Sequence, residues 1–329
     1  MAFGGACGGA RVERIAGRTM GSTYEVKWRA NGGATLLPAT MQANIEALLA
    51  RVNAAFSTWD DASVISRFNA HASTDPFVIP DEHRAAFVSV MQVAREVAER
   101  SDGAFDPTVL PLVDLRGFGK DGEREPPSVA ERAAALAHVG WRKVWLDEQD
   151  RLCKAEPLVR ITFSALVPGW AADRLADLLQ TAGAGDCMMD VDGEIVCRGT
   201  KADGAPWTIG IERPCRSDEP SRVHTTLSFT GGLATSGTYR NAHLEGDHVV
   251  HHLLDPHTGD NVRHPWASVS VVADSAGLAD ALATAFMVVG PDRAESIVNS
   301  YADRGVRALF LSPPDADGRI GERRLRWLP

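Results

Sequence analysis

The residues best suited to chemistry lie in the last third of the chain. In ADSAGLADALATAF, Asp280 and Thr284 stand four residues apart, on one face of a helix and within its first turns. Two oxygen donors so placed suit a hard cation such as Mg2+, which ordinarily completes its octahedron with water and substrate phosphate. An acidic first turn that complements the helix dipole, with Thr284 facing the core, explains the same pair and is the better account of it in isolation. Just upstream, HVVHHLLDPHTGDNV packs four histidines, Asp255 and a Pro/Gly turn into one short stretch. His248, His251, His252 and His257 suggest a transition-metal site, but strand alternation sends His251 and His252 to opposite faces, so one histidine at a site is expected rather than a cluster. DPHTG reads as a tight turn in which Asp255 bonds the turn's own backbone. Composition alone favours a structural role for His252.

Two further stretches are built for close approach. TGGLATSGTYRN holds Thr235, Ser236, Gly237, Tyr239 and Arg240, small polar groups and glycine that let backbone meet a ligand, although a plain hairpin has the same look. SDGAFDPTVLPLVDLRGFG joins a helix end to a glycine-rich loop carrying Asp106 and Asp114, a composition common in binding loops.

The elements that must position these residues follow from periodicity. A turn at Met20 and Gly21 precedes a strand over Thr23 to Trp28. A helix fits Pro38 to Phe56, with Met41, Ile45, Leu48, Val52 and Phe56 at helical spacing and proline in its first turn. A second opens at Pro80, carries Phe87, Met91, Ala94 and Val97 on one face, and stops at Gly103. Ser128 with Glu131 has the pattern of a capping box. Beyond about residue 143 the chain turns to short β-rich runs, KVWLDE, LVRITF, CMMDVDGEIVCRG, WTIGIE, HTTLSF, HVVHHLLD and WASVSVVA, interrupted by helices at Gly169 to Leu179 and Leu278 to Val289. Strands grouped together and joined by turns predict an α+β fold with a mainly antiparallel sheet. Lys120 to Pro127 is the expected exposed excursion.

The chain has 329 residues, enough for a sizeable core, and a net charge of -9. That charge argues against nucleic acid or anionic lipid as partner, so an anionic ligand needs local help from a metal, backbone N–H groups or a few cations. No apolar run approaches a membrane span. The first residues lack a basic start followed by an apolar core, which predicts a cytoplasmic protein or one whose leader has been removed. The five cysteines are scattered without a CxxC pair and read as free, buried thiols.

Each motif is weak alone, but their order along the chain is not. MGSTYEV, FSTWDDASVISRFN, GAFDPTVLPLVDLRGFG, SALVPGWAADRLADLL, WTIGIERP, LATSGTYRN, HLLDPHTG and SVSVVADSAGLADALATAFMVVG together resemble the ApbE family of FAD:protein FMN transferases, from about Met20 to Gly290. The resemblance implies a two-lobed α+β fold with packed helices and a flavin-binding cleft, covering residues 18–329 after an N-terminal extension, 1–17, expected to be poorly ordered. It implies FAD as substrate, Mg2+ at its pyrophosphate, and delivery of FMN to a threonine of an acceptor flavoprotein with release of AMP. Carried over motif by motif, Asp280 and Thr284 match side-chain Mg2+ ligands and Ala165 a backbone-carbonyl ligand. His252 matches a histidine at the flavin site, while Met20, Trp59, Ala104, Phe105 and Asp106 match positions lining FAD. Asp280 and His252 are the candidate catalytic residues, either able to take the threonine proton.

Four positions depart from the family's pattern. Pro168 stands where a lysine or glutamate usually precedes the helix-entry glycine, Thr162 where an aspartate is usual, Thr238 replaces the acid of TSGDYR, and Asp192 replaces the first glycine of a GGD turn. These departures motivate two alternatives: an FAD-binding protein without catalysis, and an FAD pyrophosphatase giving FMN and AMP.

Overall fold

The computed structural model describes residues 11–30, 38–120, 122, 125–215, 220, 222–239, 242–245, 248–262 and 264–327. In chain order its strands and helices are β1 (Arg11–Thr19), β2 (Ser22–Ala30), α1 (Pro38–Phe56), α2 (Val64–Ala70), α3 (Asp81–Arg100), α4 (Leu110–Leu115), α5 (Val129–Leu136), β3 (Val144–Leu146), β4 (Leu152–Lys154), α6 (Val167–Thr181), β5 (Cys187–Val191) and β6 (Glu194–Arg198). They continue with β7 (Thr208–Glu212), β8 (Val223–Ser228), β9 (Gly231–Gly237), β10 (Ala242–Glu245), β11 (His248–His251), β12 (Ser268–Ala273), α7 (Ala276–Ser300), β13 (Arg307–Leu311) and β14 (Glu322–Leu325).

Eight strands form one antiparallel sheet in the order β1-β2-β5-β6-β9-β12-β13-β14. Strand alternation splits its side chains between two cores. On one face Val196, Ala234, Val271 and Phe310 join the main cluster with α6 and α7. Their neighbours Cys197, Leu233, Val272 and Leu309 point the other way, into a smaller cluster closed by Ile209 and Ile211 of β7 and by Trp207 just before it. Helix α6 lies against β5 and β6, and α7 against β9 and β12, so the two helices lie side by side on one sheet face.

Where local pattern was strong, the elements match expectation. Helix α1 has the expected bounds and buries Met41, Ile45, Val52 and Phe56, with Leu48 partly buried against the core and Leu49, not singled out in the sequence, fully buried. Helix α3 buries Phe87, Met91, Ala94 and Val97. Ser128 and Glu131 make the capping box in full. Cys153, Cys187 and Cys197 are buried free thiols, and burial pushes the latter two up to about 12.

Three expectations change. The extension assigned to 1–17 is not unstructured throughout, because Arg11 to Gly17 pair residue by residue with Ala30 to Tyr24 in β1–β2. LVRITF is not a strand; both backbone groups of Ile161 are taken by the Asn69 side chain at 2.8 Å each, in place of a sheet ladder. Helix α2 was unforeseen, although Ser63 caps it by accepting the Ser66 N–H. Of the expected excursion, residues 121, 123 and 124 lie outside the described residues, as do Arg240, Cys7 and the side chain of His248; Glu125 and Pro126 are exposed. Among the described residues no helix is long and apolar enough to cross a membrane.

Candidate active site

Two hairpin turns of the sheet open onto one cavity. The β1–β2 turn is Met20–Gly21 and the β5–β6 turn is Asp192–Gly193. All four residues have positive φ, at 50°, 77°, 61° and 100°, as two-residue turns matching the twist of paired strands require. Because Tyr24 on β2 sits opposite Val191 on β5, both turns leave the sheet at the same end. There they border a cavity of about 560 Å3, a size ordinary for small-molecule sites. The remaining wall comes from Asn53, Phe56 and Trp59 at the end of α1, and from Thr162, Phe163 and Pro168 leading into α6. Trp59 is 63% exposed, an aromatic face open to a ligand.

Behind this wall carboxylates gather. Asp280, 6% exposed on α7, accepts one long hydrogen bond, 3.4 Å from the Gly169 N–H at the start of α6. Burial drives its pKa up, the neighbouring Asp192 carboxylate adds to the rise, and the Gly169 N–H offsets only part of it. Glu194, the first residue of β6, has an Oε2 atom that is buried without a hydrogen-bond partner among the described residues. Burial raises its pKa well above the ordinary carboxylate range, and the charges of Asp280, Asp192 and Asp190 push it the same way. A divalent cation fits such a cluster: it would satisfy the buried Glu194 oxygen and offset like charges that destabilise one another. One turn along α7, Thr284 Oγ1 lies 3.3 Å from Ser236 Oγ of β9, a second pair of hard oxygens beside Asp280. Among the described residues no three His, Cys, Asp or Glu side chains form a protein-only metal centre. The donor set therefore fits a Mg2+-like ion that takes part of its shell from substrate.

Comparison with known proteins decides the family. The family model described as "ApbE family" matches residues 20–310. Relatives from Haemophilus influenzae and Vibrio cholerae, each named FAD:protein FMN transferase, are 35% identical over 306 and 288 residues, which is 92% and 87% of this chain and 86% and 84% of theirs. The chain belongs to the ApbE family. Among solved structures, the flavin transferase ApbE from Vibrio cholerae superposes with a TM-score of 0.83 at 33% identity, over 96% of this chain and 97% of that one. The apo flavinyl transferase ApbE of Pseudomonas stutzeri gives 0.82 at 32%, over 96% and 95%.

Within this ApbE-family fold the residues singled out in the sequence divide into two groups. Met20 and Trp59 line the cavity, as do three of the four departures, Thr162, Pro168 and Asp192. Thr238 instead pairs its backbone N–H with the Ala267 carbonyl at 2.9 Å. Asp280 meets the wall through Gly169, next to Pro168, and Ala165 is partly buried two residues before α6 begins. The second group lies outside the cavity wall. Ala104, Phe105 and Asp106 are buried, and their segment abuts the wall where Pro107 O accepts the Thr162 N–H at 2.8 Å. Asp106 spends one carboxylate oxygen on Thr108, at 2.8 Å to N and 2.6 Å to Oγ1, although burial still raises its pKa. The His252 ring packs edge-on against Phe118 at 6.3 Å, in a loop tied to the Trp59 turn by Lys120 and Asp61 at 2.6 Å.

In the histidine-rich stretch β11 ends at His251, so His252 stands just outside the strand. His251 is buried and held neutral, its pKa lowered to about 4 by burial and by His252 nearby. Asp255 Oδ1 accepts the His257 N–H at 2.9 Å, closing the turn on itself. Two further residues bear on the site without having been singled out in the sequence: Glu194, marked only by its place in the DGE turn, and Asp173, which lies within SALVPGWAADRLADLL.

Proposed function

We propose that this chain transfers FMN from FAD to a threonine hydroxyl of an acceptor flavoprotein, releasing AMP. The observation that carries this reading is a pair of carboxylates, Asp280 and the inward-facing Oε2 of Glu194, whose burial raises both pKa values beside a ligand-sized cavity in a member of a family of FAD:protein FMN transferases. Met20 and Trp59 would bear on the flavin substrate, with Ala104, Phe105, Asp106 and His252 supporting the loops around it. Asp280, Thr284 and the Ala165 carbonyl would hold Mg2+. Bound there, the ion would neutralise pyrophosphate oxygens and stabilise the departing AMP.

In the step itself, the threonine oxygen forms a bond to the FMN phosphorus, the bond from that phosphorus to the AMP oxygen breaks, and the hydroxyl proton passes to a base. Asp280, one residue removed from the cavity wall through Gly169, is better placed for that proton than His252, whose ring faces Phe118. The departures in the wall leave the cavity open. Pro168 sits in the first turn of α6, where a missing N–H is tolerated, and Asp192 adopts the left-handed conformation that Asp bears better than most residues.

Incubation with FAD, Mg2+ and a flavoprotein acceptor is expected to give an acceptor carrying covalent flavin, read as in-gel fluorescence. FMN and AMP released at the same rate without acceptor would instead identify a pyrophosphatase. FAD bound without turnover in either case would identify a binding protein.

A further inference from the structure

The N-termini of α6 and α7 meet backbone to backbone. A Cβ on Gly169 would lie 2.3 Å from the Ala276 carbonyl oxygen, and one on Gly277 would lie 3.2 Å from the backbone of Trp170. Such a seam leaves no room for side chains between the helices, so its polar groups must be satisfied by reaching across it.

Each helix caps the other. The Asp280 carboxylate on α7 accepts the Gly169 N–H of the first turn of α6. Asp173, on α6, accepts the first two N–H groups of α7, from Ala276 to Oδ1 at 2.9 Å and from Gly277 to Oδ2 at 3.0 Å. Ser275 takes the third, from Leu278 at 3.4 Å. Asp173 is 6% exposed, and an ionised carboxylate so deeply buried persists only where donors and a helix dipole favour its charge. Burial pushes its pKa up to about 6, against the bonds from Gly277 and Ala276, so it is ionised at neutral pH.

This arrangement gives Asp173 a part in the chemistry although it faces no cavity. Ala165 and Gly169 belong to the α6 side of the seam, Asp280 and Thr284 to the α7 side. Their separation is set by how closely the two helix starts are drawn together, and Asp173 makes both of the short bonds that draw them. We propose that Asp173 is a positioning residue for the cation site, holding the Asp280 and Thr284 helix at the distance from Ala165 that a divalent ion needs. The inference rests on the reading of that site given above. Its chemistry is specific: both carboxylate oxygens accept, so an asparagine, which turns one acceptor into a donor facing a backbone N–H, keeps the volume and loses the clamp.

The test is the Mg2+ concentration that half-saturates FAD binding, measured by calorimetric titration of FAD at a series of Mg2+ concentrations. Wild type, Asp173→Asn, Asp280→Ala and Leu179→Ala are compared, the last a core truncation at the far end of α6 that lowers stability without touching the seam. Asp173→Asn is expected to raise the half-saturating Mg2+ concentration at least tenfold, while Leu179→Ala leaves it unchanged despite a lower melting temperature. A wild-type value for Asp173→Asn overturns the inference and leaves the site reading intact. FAD binding by wild type that does not depend on Mg2+, or that survives in Asp280→Ala, overturns the site reading and this inference with it. Should Asp173→Asn not fold, Asp173→Ser retains one acceptor in a smaller side chain. A threefold or greater rise in half-saturating Mg2+ for that variant supports the clamp, and a wild-type value overturns it.

Discussion

The hairpin turns Met20–Gly21 and Asp192–Gly193 and the helix seam of Gly169, Asp173, Gly277 and Asp280 adjoin the same cavity, but they hold their shape by different means. The turns are local. Each needs two residues at positive φ between strands already paired, and its side chains are free to face a ligand. The seam is assembled from segments more than 100 residues apart, with carboxylates buried where only backbone N–H groups meet them. The contrast shows where the molecule tolerates change: the sheet side presents replaceable surface to the ligand, while the helix side stores charge and tolerates almost no added volume.

The largest effect that would sharpen this contrast is at Asp280. Asp280→Asn is expected to lower FMN transfer at least 100-fold and to abolish Mg2+-dependent FAD binding, measured by flavinylation rate and calorimetry. The same variant should be more stable than wild type without divalent cations at high pH. Because burial raises the folded-state pKa of Asp280, to about 8, the folded protein binds the extra proton and loses stability as pH rises through that value. The amide removes this loss, so the difference in melting temperature should grow from pH 6 to about pH 8 and level off above it. A constant difference would show that Asp280 is not buried in protonated form.

Gly169→Ala comes next. A methyl group 2.3 Å from the Ala276 carbonyl has backbone on both sides and nowhere to move. Overpacking of this kind costs about 1–3 kcal/mol, read as a lower denaturation midpoint together with weaker FAD binding. A neutral result would break the distinction between rigid seam and tolerant turns.

The third effect is on pH dependence. If Asp280 is a ligand of Mg2+ as proposed, the ion must displace its proton, so the half-saturating Mg2+ concentration is expected to fall by up to about tenfold per pH unit as pH rises toward 8, and then level off. Smallest is Asp192→Asn, which keeps a residue able to adopt the left-handed turn conformation and removes the charge that raises Asp280 and Glu194. Stability should change by less than about 0.5 kcal/mol, as at other surface sites, while the midpoint of the pH profile moves to lower pH. An unmoved midpoint would mean that Asp192 is screened from Asp280.

Much of this architecture was legible in the chain. Helix α1 declared itself through apolar spacing and α5 through Ser128 and Glu131, while the turn at Asp192 was marked only by the resemblance to a family GGD turn. Those features depend on residues a few positions apart, which interact before any tertiary contact forms. Less local features were missed or misread. LVRITF has strand composition, yet Asn69, 92 residues away, occupies both backbone groups of Ile161. β1 lacks the continuous apolar character of a central strand because it is the sheet's edge, and its buried positions are sparse.

The sequence by itself determined that Asp280 and Thr284 share a helix face, that Met20–Gly21 and the Asp192 turn reverse the chain, and that the ordered motifs belong to one family. Tertiary structure alone decided that Asp280 lies against the start of α6, that a Glu194 oxygen has no partner among the described residues, and that Asp173 binds the first N–H groups of α7. The reason is physical: periodicity and turn chemistry are set by neighbours in the chain, whereas the cost of a buried charge depends on which distant groups fold around it.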